Sequence, residues 1–431
     1  MYLQLKQFLL KHDLAAILLL AFCLRLLGIQ HTNDVVFPEF FRDYYSVSSI
    51  IRGTSFPLHG PPSILGGFHF GPFYYYYLVP FLWLFRLHPV GLIIGSIAAS
   101  VGSIYFLYKL VYLWFRDYSI ARVAAVLCTL SIYSVRMSNY VSNPNLLPFF
   151  VLWFFYHLTL LADGNDTWPN TVLLGLSFGC AVQLHVTAMI VLPLVLASVL
   201  LFTKAKVTTR SVVVFFSSAT AVLGPYLYYE LVTRLDEVRR LVHLGATQLG
   251  AHTGVLGNLS ALYRFAEGTL VPAINPEYSY TYLEPNYLYY PLAVGVLVLA
   301  GSLVYKLLRH QFDLNASSNI HVGRPGVVIL ISWIASTVAI LLVYRRFVRY
   351  YYLIILWPVP MIALALFIFW FKAHFRMYYL VIGLWLLVCL LELYSYETLR
   401  SGSWSEFYSE YSQIRATTNI TEIGAPGVVV H

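Results

Sequence analysis

Long runs of apolar residues alternate with short polar segments along most of this chain. A helix that crosses a membrane needs about 20 mainly apolar residues. Runs of roughly this length predict about 11 spans, at residues 13–30, 90–114, 120–137, 146–162, 171–185, 187–203, 211–230, 288–307, 326–344, 350–371 and 377–395. The pattern therefore predicts an all-α, polytopic membrane protein.

Two long polar segments interrupt the spans. The first ends in the aromatic run Phe73 to Phe85, which is too short to cross a bilayer and predicts a juxtamembrane helix lying in the interface. The pattern divides the chain into a first membrane module with its outer loop 31–89, a second outer loop, further C-terminal membrane helices and a polar outer tail. These parts are residues 1–230, 231–287, 288–395 and 396–431.

The lysines and arginines of the short loops predict the orientation. Cytoplasmic loops carry an excess of these residues. Lys6 and Lys11 precede the first span, which predicts a cytoplasmic N-terminus. Alternation then places four more basic loops inside, those with Arg116, Lys204, Lys306 and Lys372 and their basic neighbours. The loop at 163–170 should also be inside, but it has no lysine or arginine and so gives no evidence.

Composition supports the same class of protein. The chain is 59% hydrophobic and 11% charged, whereas soluble domains carry about 25% charged residues. The net charge of +8 comes from short loops between apolar runs, so nucleic acid is not an expected partner. The four cysteines lie in apolar segments without metal-binding spacing, which indicates core positions and no disulfide framework.

The start of the first outer loop combines two carboxylates with an arginine. On a helix, Glu39 and Asp43 share one face and Arg42 lies beside them. A carboxylate at this place could deprotonate an attacking hydroxyl or amine, and an arginine could bind a phosphate. A solvated ion pair on a loop helix explains the same spacing.

A stretch rich in glycine and proline follows, from Gly60 to Pro72. It predicts an ordered, non-helical loop in which glycines allow a ligand to approach the backbone. His59 and His69 flank or lie within it and could donate to phosphate. A structural role is the alternative for each of these histidines.

Further polar residues fall at membrane depth or on an unexpected side. Two outer turns carry Asn143, Asn145, Gln183 and His185, and polar groups at such depth are costly unless they line a cavity or pair together. The sequence Tyr344–Tyr350 holds three arginines on the outer side, against the usual charge bias. Arginine binds phosphate with two parallel hydrogen bonds, so these arginines indicate a phosphate site; interaction with lipid headgroups is the alternative. The three are Arg345, Arg346 and Arg349.

Together these motifs resemble the GT-C membrane glycosyltransferases, over roughly residues 10–370. The likeness is to the bacterial branch related to protein O-mannosyltransferases and lipid A aminoarabinose transferases. The matching motifs are Glu39 with Arg42, Gly60-Pro61-Pro62, Gly66 to Tyr76, Asn143-Pro144-Asn145, Gln183 to Ala188, and Tyr351-Tyr352 to Pro358. The family usually has Asp where this chain has Glu39, and it often carries an acid at the position of Asp43. Some relatives carry a lysine in the Pro-Pro region that has no counterpart here.

The resemblance implies an inverting transfer of a sugar from a polyprenyl-phosphate donor to a glycan, lipid or protein acceptor. Glu39 or Asp43 would be the catalytic base, and Arg42 with His69, His185 and the late arginine cluster would bind the phosphate or donor. The residues expected to line the acceptor site or cavity are Tyr74, Tyr75, Asn143, Asn145 and Gln183. No cofactor is expected, no metal ligands are assigned, and a divalent metal stays open. The implied location is the bacterial inner membrane, with the site facing the periplasm and membrane lipids around the spans.

Two other classes fit parts of the pattern. A non-catalytic GT-C relative acting as an assembly partner would tolerate Glu39 in place of aspartate. A lipid or solute transporter would place ionisable residues inside spans and show internal repeats. Only Arg25 lies well within an apolar run, and the sequence shows no internal repeat.

Overall fold

The chain folds into a bundle of helices. The computed structural model describes residues 2–27, 29, 38–63, 67–203, 205, 207–248, 324–343, 350–374 and 383. The helices of this part are α1 (Tyr2–Leu27), α2 (Pro38–Ile51), α3 (Phe73–Leu84), α4 (Val90–Phe115), α5 (Tyr118–Leu130), α6 (Ile132–Asn139), α7 (Asn143–Ala162), α8 (Trp168–Val182), α9 (Val186–Phe202), α10 (Thr209–Val232), α11 (Asp236–Gln248), α12 (Arg324–Val343), a 3₁₀ helix (Tyr350–Leu356) and α13 (Pro358–His374). The all-α prediction is confirmed.

Several helices have the length and composition of membrane spans. Among the described residues, α4, α7 and α10 are each long and apolar enough to cross a bilayer, and the pair α5–α6 would add a fourth crossing. The helices α8 and α9 are apolar but shorter. The predicted spans at 288–307 and 377–395 lie outside the described residues, so the total of about 11 stays a prediction.

The span predicted at 120–137 is not one straight helix. The helix α5 ends at Leu130, and the axis turns by 58° before α6 continues. Ser131 has an extended backbone conformation, and its hydroxyl accepts from the backbone N–H of Ser134 at the start of α6. A serine that caps the second helix stops the first one, because its side chain competes for backbone hydrogen bonds.

The helices pack around an aromatic and aliphatic core. Extensive contacts join α4 with α7, α8 with α10, and α12 with α9. At the centre, Phe155 of α7 meets Trp333 of α12 with ring centroids 4.8 Å apart. The indole N–H of Trp114 on α4 donates to Thr159 of α7 at 3.1 Å, which satisfies a polar group inside the core.

Polar pairs join the loops at one end of the bundle. Arg116 contacts Asp163 at 3.1 Å, and Arg122 bonds Asp13 of α1. The hydroxyl of Thr208 donates to Asp166 at 3.3 Å. The loop at 163–170, whose sequence gives no evidence of sidedness, therefore lies at the same end as the basic loop of Arg116.

The opposite end gathers the segments that were predicted to face outside. The hydroxyl of Tyr44 on α2 donates to the carbonyl of Leu87, just before α4. The amide of Asn143 donates to the carbonyl of Leu184 in the α8–α9 turn at 2.6 Å. Tyr226 near the end of α10 donates to the carbonyl of His69 at 3.0 Å. These contacts involve the first outer loop, two turns and the end of α10.

Candidate active site

The helix α2 carries the acidic pair and the arginine of the first outer loop. Pro38 is its first residue, a position where proline is favoured because its N–H is not needed. Glu39 and Asp43 follow one turn apart, as the spacing predicted. Their surroundings differ: the Glu39 side chain is exposed, whereas Asp43 is 1% exposed.

Both oxygens of the Asp43 carboxylate accept hydrogen bonds. Arg42 donates from Nε and Nη2 to Oδ1, at 2.8 and 2.7 Å, and the Tyr74 hydroxyl donates to Oδ2 at 2.9 Å. Burial raises the pKa of Asp43 to about 6; the Arg42 charge and the two hydrogen bonds act against this shift, and the charge of Glu39 adds to it. Asp43 is thus a buried carboxylate that holds two other side chains in place.

Tyr74 and Tyr75 at the start of α3 enclose this carboxylate. Tyr74 is fully buried, and its pKa lies well above the usual range because of burial and the neighbouring Asp43 charge. It therefore stays a hydroxyl donor. Tyr75 is 4% exposed and bonds through its side chain with Arg42 and Ser46. The structure brings these two predicted cavity residues directly against the predicted catalytic residues.

The guanidinium of Arg42 contacts Asp43, while part of the side chain is exposed at the protein surface. Its bonds to Asp43 fix the plane of the guanidinium, and a third of its side chain stays exposed. A guanidinium held by a carboxylate on one edge presents its remaining donors in a defined direction. With the exposed carboxylate of Glu39 one turn away, the helix offers a base and an anion-binding group side by side.

The described parts of the glycine- and proline-rich stretch, residues 60–63 and 67–72, are not helical, as predicted, and pair as two antiparallel arms. We call these two arms the hairpin. Gly60 donates its N–H to the carbonyl of Phe70 at 2.6 Å, and Ser63 donates to Phe68 at 2.8 Å. A side chain at Gly60 would collide with the backbone carbonyl of Gly71. Glycine is therefore required where the two arms of the hairpin meet.

The polar residues of the two outer turns mostly bond to backbone groups. Gln183 donates to the carbonyls of Gly179 and Val222, at 2.9 and 3.2 Å, and packs against the hairpin. Asn143 and Asn145 donate to backbone carbonyls of the turns. These contacts give the three amides a positioning task; their place in an acceptor site stays a prediction.

His185 is buried at the start of α9. Its Nδ1 lies 2.9 Å from the Thr187 hydroxyl and accepts from the Thr187 backbone N–H, so it caps the helix. The ring also stacks on Phe70 of the hairpin, with centroids 5.9 Å apart. These contacts connect the α8–α9 turn to the first outer loop, and direct contact with a donor stays a prediction.

His69 belongs to a second cluster that sequence reasoning missed in part. Glu237 on α11, 2% exposed, accepts from the His69 backbone N–H at 2.7 Å and faces its Nδ1 at 3.0 Å. The His59 ring lies 4.5 Å from the His69 ring and 5.2 Å from Tyr229, and burial lowers the pKa of His59. The only signal for Glu237 in the sequence is its place at the polar start of an amphipathic segment.

The outer arginine cluster, Arg345, Arg346 and Arg349, lies outside the described residues. Its assignment as a phosphate site stays a prediction. In the part of the chain that the structure describes, no group of three or more His, Cys, Asp or Glu side chains is arranged to hold a metal ion.

Comparisons with known proteins agree with the fold and motifs. Residues 69–229, less than half of the chain, match the family described as dolichyl-phosphate-mannose-protein mannosyltransferase. No curated protein matches the sequence.

Two solved structures resemble most of this chain. One is the archaeal oligosaccharyltransferase AglB from Archaeoglobus fulgidus, in complex with an inhibitory peptide and a dolichol-phosphate; the TM-score is 0.53 at 14% identity, covering 95% of this chain and 59% of that one. The other is ArnT from Cupriavidus metallidurans bound to undecaprenyl phosphate; the TM-score is 0.54 at 13% identity, covering 82% of this chain and 59% of that one.

This chain therefore spans 59% of the length of each of these two proteins. A likeness at such low identity shows the fold. The resemblance to GT-C membrane glycosyltransferases that the loop motifs indicated is confirmed, and the apolar helices are those of an integral membrane protein.

Proposed function

We propose that this chain, which has the fold of the GT-C membrane glycosyltransferases, transfers a sugar from a polyprenyl-phosphate donor to an acceptor at the outer face of a membrane. The two solved neighbours hold a dolichol-phosphate and undecaprenyl phosphate, which supports a lipid-linked donor of this chemistry. The acceptor is a glycan, lipid or protein. The location proposed for the chain is a bacterial inner membrane, with a cytoplasmic N-terminus and the site facing the periplasm.

The observation that carries this proposal is the arrangement on α2. An exposed carboxylate, Glu39, precedes by one turn a buried carboxylate, Asp43, which holds Arg42 and Tyr74. Sugar transfer from a phosphate carrier needs a base for the acceptor and a cation for the leaving group. Glu39 and Arg42 supply these two groups from the same face of one helix.

The reaction follows from these roles as a single displacement. The carboxylate of Glu39 takes the proton of the acceptor hydroxyl or amine, and the acceptor atom forms a bond to the anomeric carbon. The bond from that carbon to the phosphate oxygen breaks, and the electron pair leaves with the polyprenyl phosphate. Arg42 stabilises the charge that develops on this phosphate, and the anomeric centre inverts.

The structure supports Glu39 over Asp43 as the base. A base must reach the proton that it removes. Asp43 is buried, and both of its oxygens already accept hydrogen bonds from Arg42 and Tyr74. Its proposed task is to hold the guanidinium in the direction of the leaving phosphate. Asp43 remains the alternative base if the acceptor displaces Tyr74.

The direct test uses purified protein and a panel of polyprenyl-phosphate sugars, with release of the carrier as the signal. We expect release from at least one donor, and a loss of about 100-fold or more in Glu39→Gln, because general-base catalysis contributes roughly 10² to 10⁴. Asp163→Asn, which changes a carboxylate at the other end of the bundle, is the matched control and should keep full activity.

Other outcomes separate the alternatives. Full transfer by both Glu39→Gln and Asp43→Asn would refute the assignment of the base. Absence of release from every donor would favour the non-catalytic assembly partner. Loss in Asp43→Asn with normal activity in Glu39→Gln would exchange the roles of the two carboxylates.

A further inference from the structure

Glu237 holds residue 69 at two points. Its Oε2 accepts from the backbone N–H of His69 at 2.7 Å, and its Oε1 faces the ring Nδ1 at 3.0 Å. The carboxylate is almost completely buried, and it reaches the hairpin of the first outer loop from α11, far along the chain. These two contacts between segments distant in sequence fix both the backbone and the ring of His69.

The second of these bonds determines how the ring is used. A carboxylate oxygen accepts hydrogen bonds, so the ring nitrogen facing Glu237 carries the hydrogen. The partner of one ring nitrogen thus sets the role of the other. In the neutral ring, the Nε2 atom of His69 is then the hydrogen-bond acceptor, and a third of the side chain is exposed.

The surroundings of the ring favour a hydroxyl as the ligand. The centroid of the His59 ring lies 4.5 Å from that of His69, and the Tyr229 ring also contacts His59, with interplanar angles of 55° and 51°. The nearby Arg240 is paired with Asp236 at 2.7 Å, so its charge is compensated. Aromatic rings with a few directed polar atoms are a usual composition of a small-molecule site, and Nε2 of a neutral ring binds a hydroxyl rather than a phosphate oxygen.

The cluster is also connected to the proposed reaction centre by a short segment. His69 precedes Tyr74 by five residues, so their Cα atoms are at most about 18 Å apart. Tyr74 bonds Asp43 directly. One segment of the chain therefore contributes to both the cluster and the proposed reaction centre.

We propose that Glu237 is a positioning residue that orients His69, so that Nε2 of His69 accepts a hydrogen bond from a hydroxyl of the donor sugar. This inference rests on the proposed function and specifies it: the second outer segment contributes to recognition of the sugar through a histidine of the first. The two segments thereby form one site for the carbohydrate part of the donor.

The experiment measures binding to the purified full chain in lipid nanodiscs. The probes are polyprenyl phosphomannose, polyprenyl phosphoglucose and undecaprenyl phosphate without sugar. The variants are His69→Ala, Glu237→Gln and the double variant, with Asp163→Asn at the other end of the bundle as the control. Thermal unfolding of each variant checks its folding.

We expect His69→Ala and Glu237→Gln each to weaken binding of the preferred sugar-bearing carrier by about 3- to 10-fold, the value of one neutral hydrogen bond. Binding of the bare carrier should be unchanged. The double variant should match His69→Ala, because Glu237 acts through the ring. The control should bind like the wild type.

A purely structural Glu237 gives another result. Its bond to the backbone N–H of residue 69 persists in His69→Ala, so Glu237→Gln would then keep its own effect in that background and overturn the inference. An equal loss for the bare carrier would also overturn it, because the contact would be to phosphate. Normal sugar transfer by Glu237→Gln with unchanged binding refutes this inference alone, whereas a wild type that binds neither the bare carrier nor either sugar-bearing lipid refutes the proposed function as well.

Discussion

Arg25 offers the sharpest test of how the bundle is held together. It lies within α1, is fully buried, and bonds to groups on three other helices. Its Nε donates to Ser100 of α4 at 2.8 Å. The two terminal nitrogens donate to groups around the break between α5 and α6, namely the carbonyls of Cys128 and Thr129, each at 3.5 Å, and the hydroxyl of Ser134.

The break explains why a cation belongs there. The last carbonyls of α5 have no N–H partner within the helix, and the negative end of the helix dipole favours a cationic donor there. Interhelical hydrogen bonds in membrane proteins contribute about 0.6 kcal/mol each on average. Arg25→Leu removes the four described bonds to other helices and should cost about 2–3 kcal/mol.

Two further variants calibrate this value. Arg25→Lys keeps the charge, but an ammonium lacks the planar fork that reaches both a carbonyl and a hydroxyl, so we expect a loss of about 1 kcal/mol. Ser100→Ala removes one bond and should cost about 0.6 kcal/mol. The assay is reversible unfolding in mixed detergent micelles, followed by circular dichroism.

One result would refute the reasoning. Replacing buried charged groups by apolar residues stabilises some proteins, because the charge no longer has to leave water. If Arg25→Leu is as stable as the wild type, the desolvation of Arg25 outweighs its hydrogen bonds. A destabilised Arg25→Leu would instead make Arg25 a structural residue, which removes an argument for a transporter.

Three further predictions concern other parts of the molecule. The pKa of Asp43 is raised to about 6, so this carboxyl is protonated more readily in the folded than in the unfolded chain. The unfolding free energy of the wild type relative to Asp43→Asn should therefore fall as pH rises from about 4 to about 6. A difference that is independent of pH would contradict this. Gly60→Ala should cost about 1–3 kcal/mol in the same unfolding assay, since its Cβ meets the opposite arm of the hairpin. Gly224→Ala lies within α10 and meets open space, so it should cost nothing and stabilise by up to about 1 kcal/mol. Thr54→Cys should react with an impermeant maleimide from outside and Asn165→Cys from inside; labelling of both from one side would overturn the topology.

The sequence predicted the class of protein and the approximate place of the site. Apolar runs of membrane length identified α4, α7 and α10, because lipid as a solvent requires long unbroken apolar helices. The carboxylates of Glu39 and Asp43 were expected on one helical face, and α2 bears this out. The described parts of the glycine- and proline-rich stretch, residues 60–63 and 67–72, are not helical, as predicted.

Only the tertiary structure decided what each polar residue contacts. Spacing treats Glu39 and Asp43 alike, but packing of α3 against α2 buries Asp43 under Tyr74 and leaves Glu39 exposed. Glu237 carries no motif, and it meets His69 only because α11 folds back onto the first outer loop. Periodicity and composition are local properties of the chain, so they determine which segments form helices and that lipid surrounds them. Burial, pairing and the direction of a ring nitrogen depend on residues far apart in sequence, and folding alone brings these together.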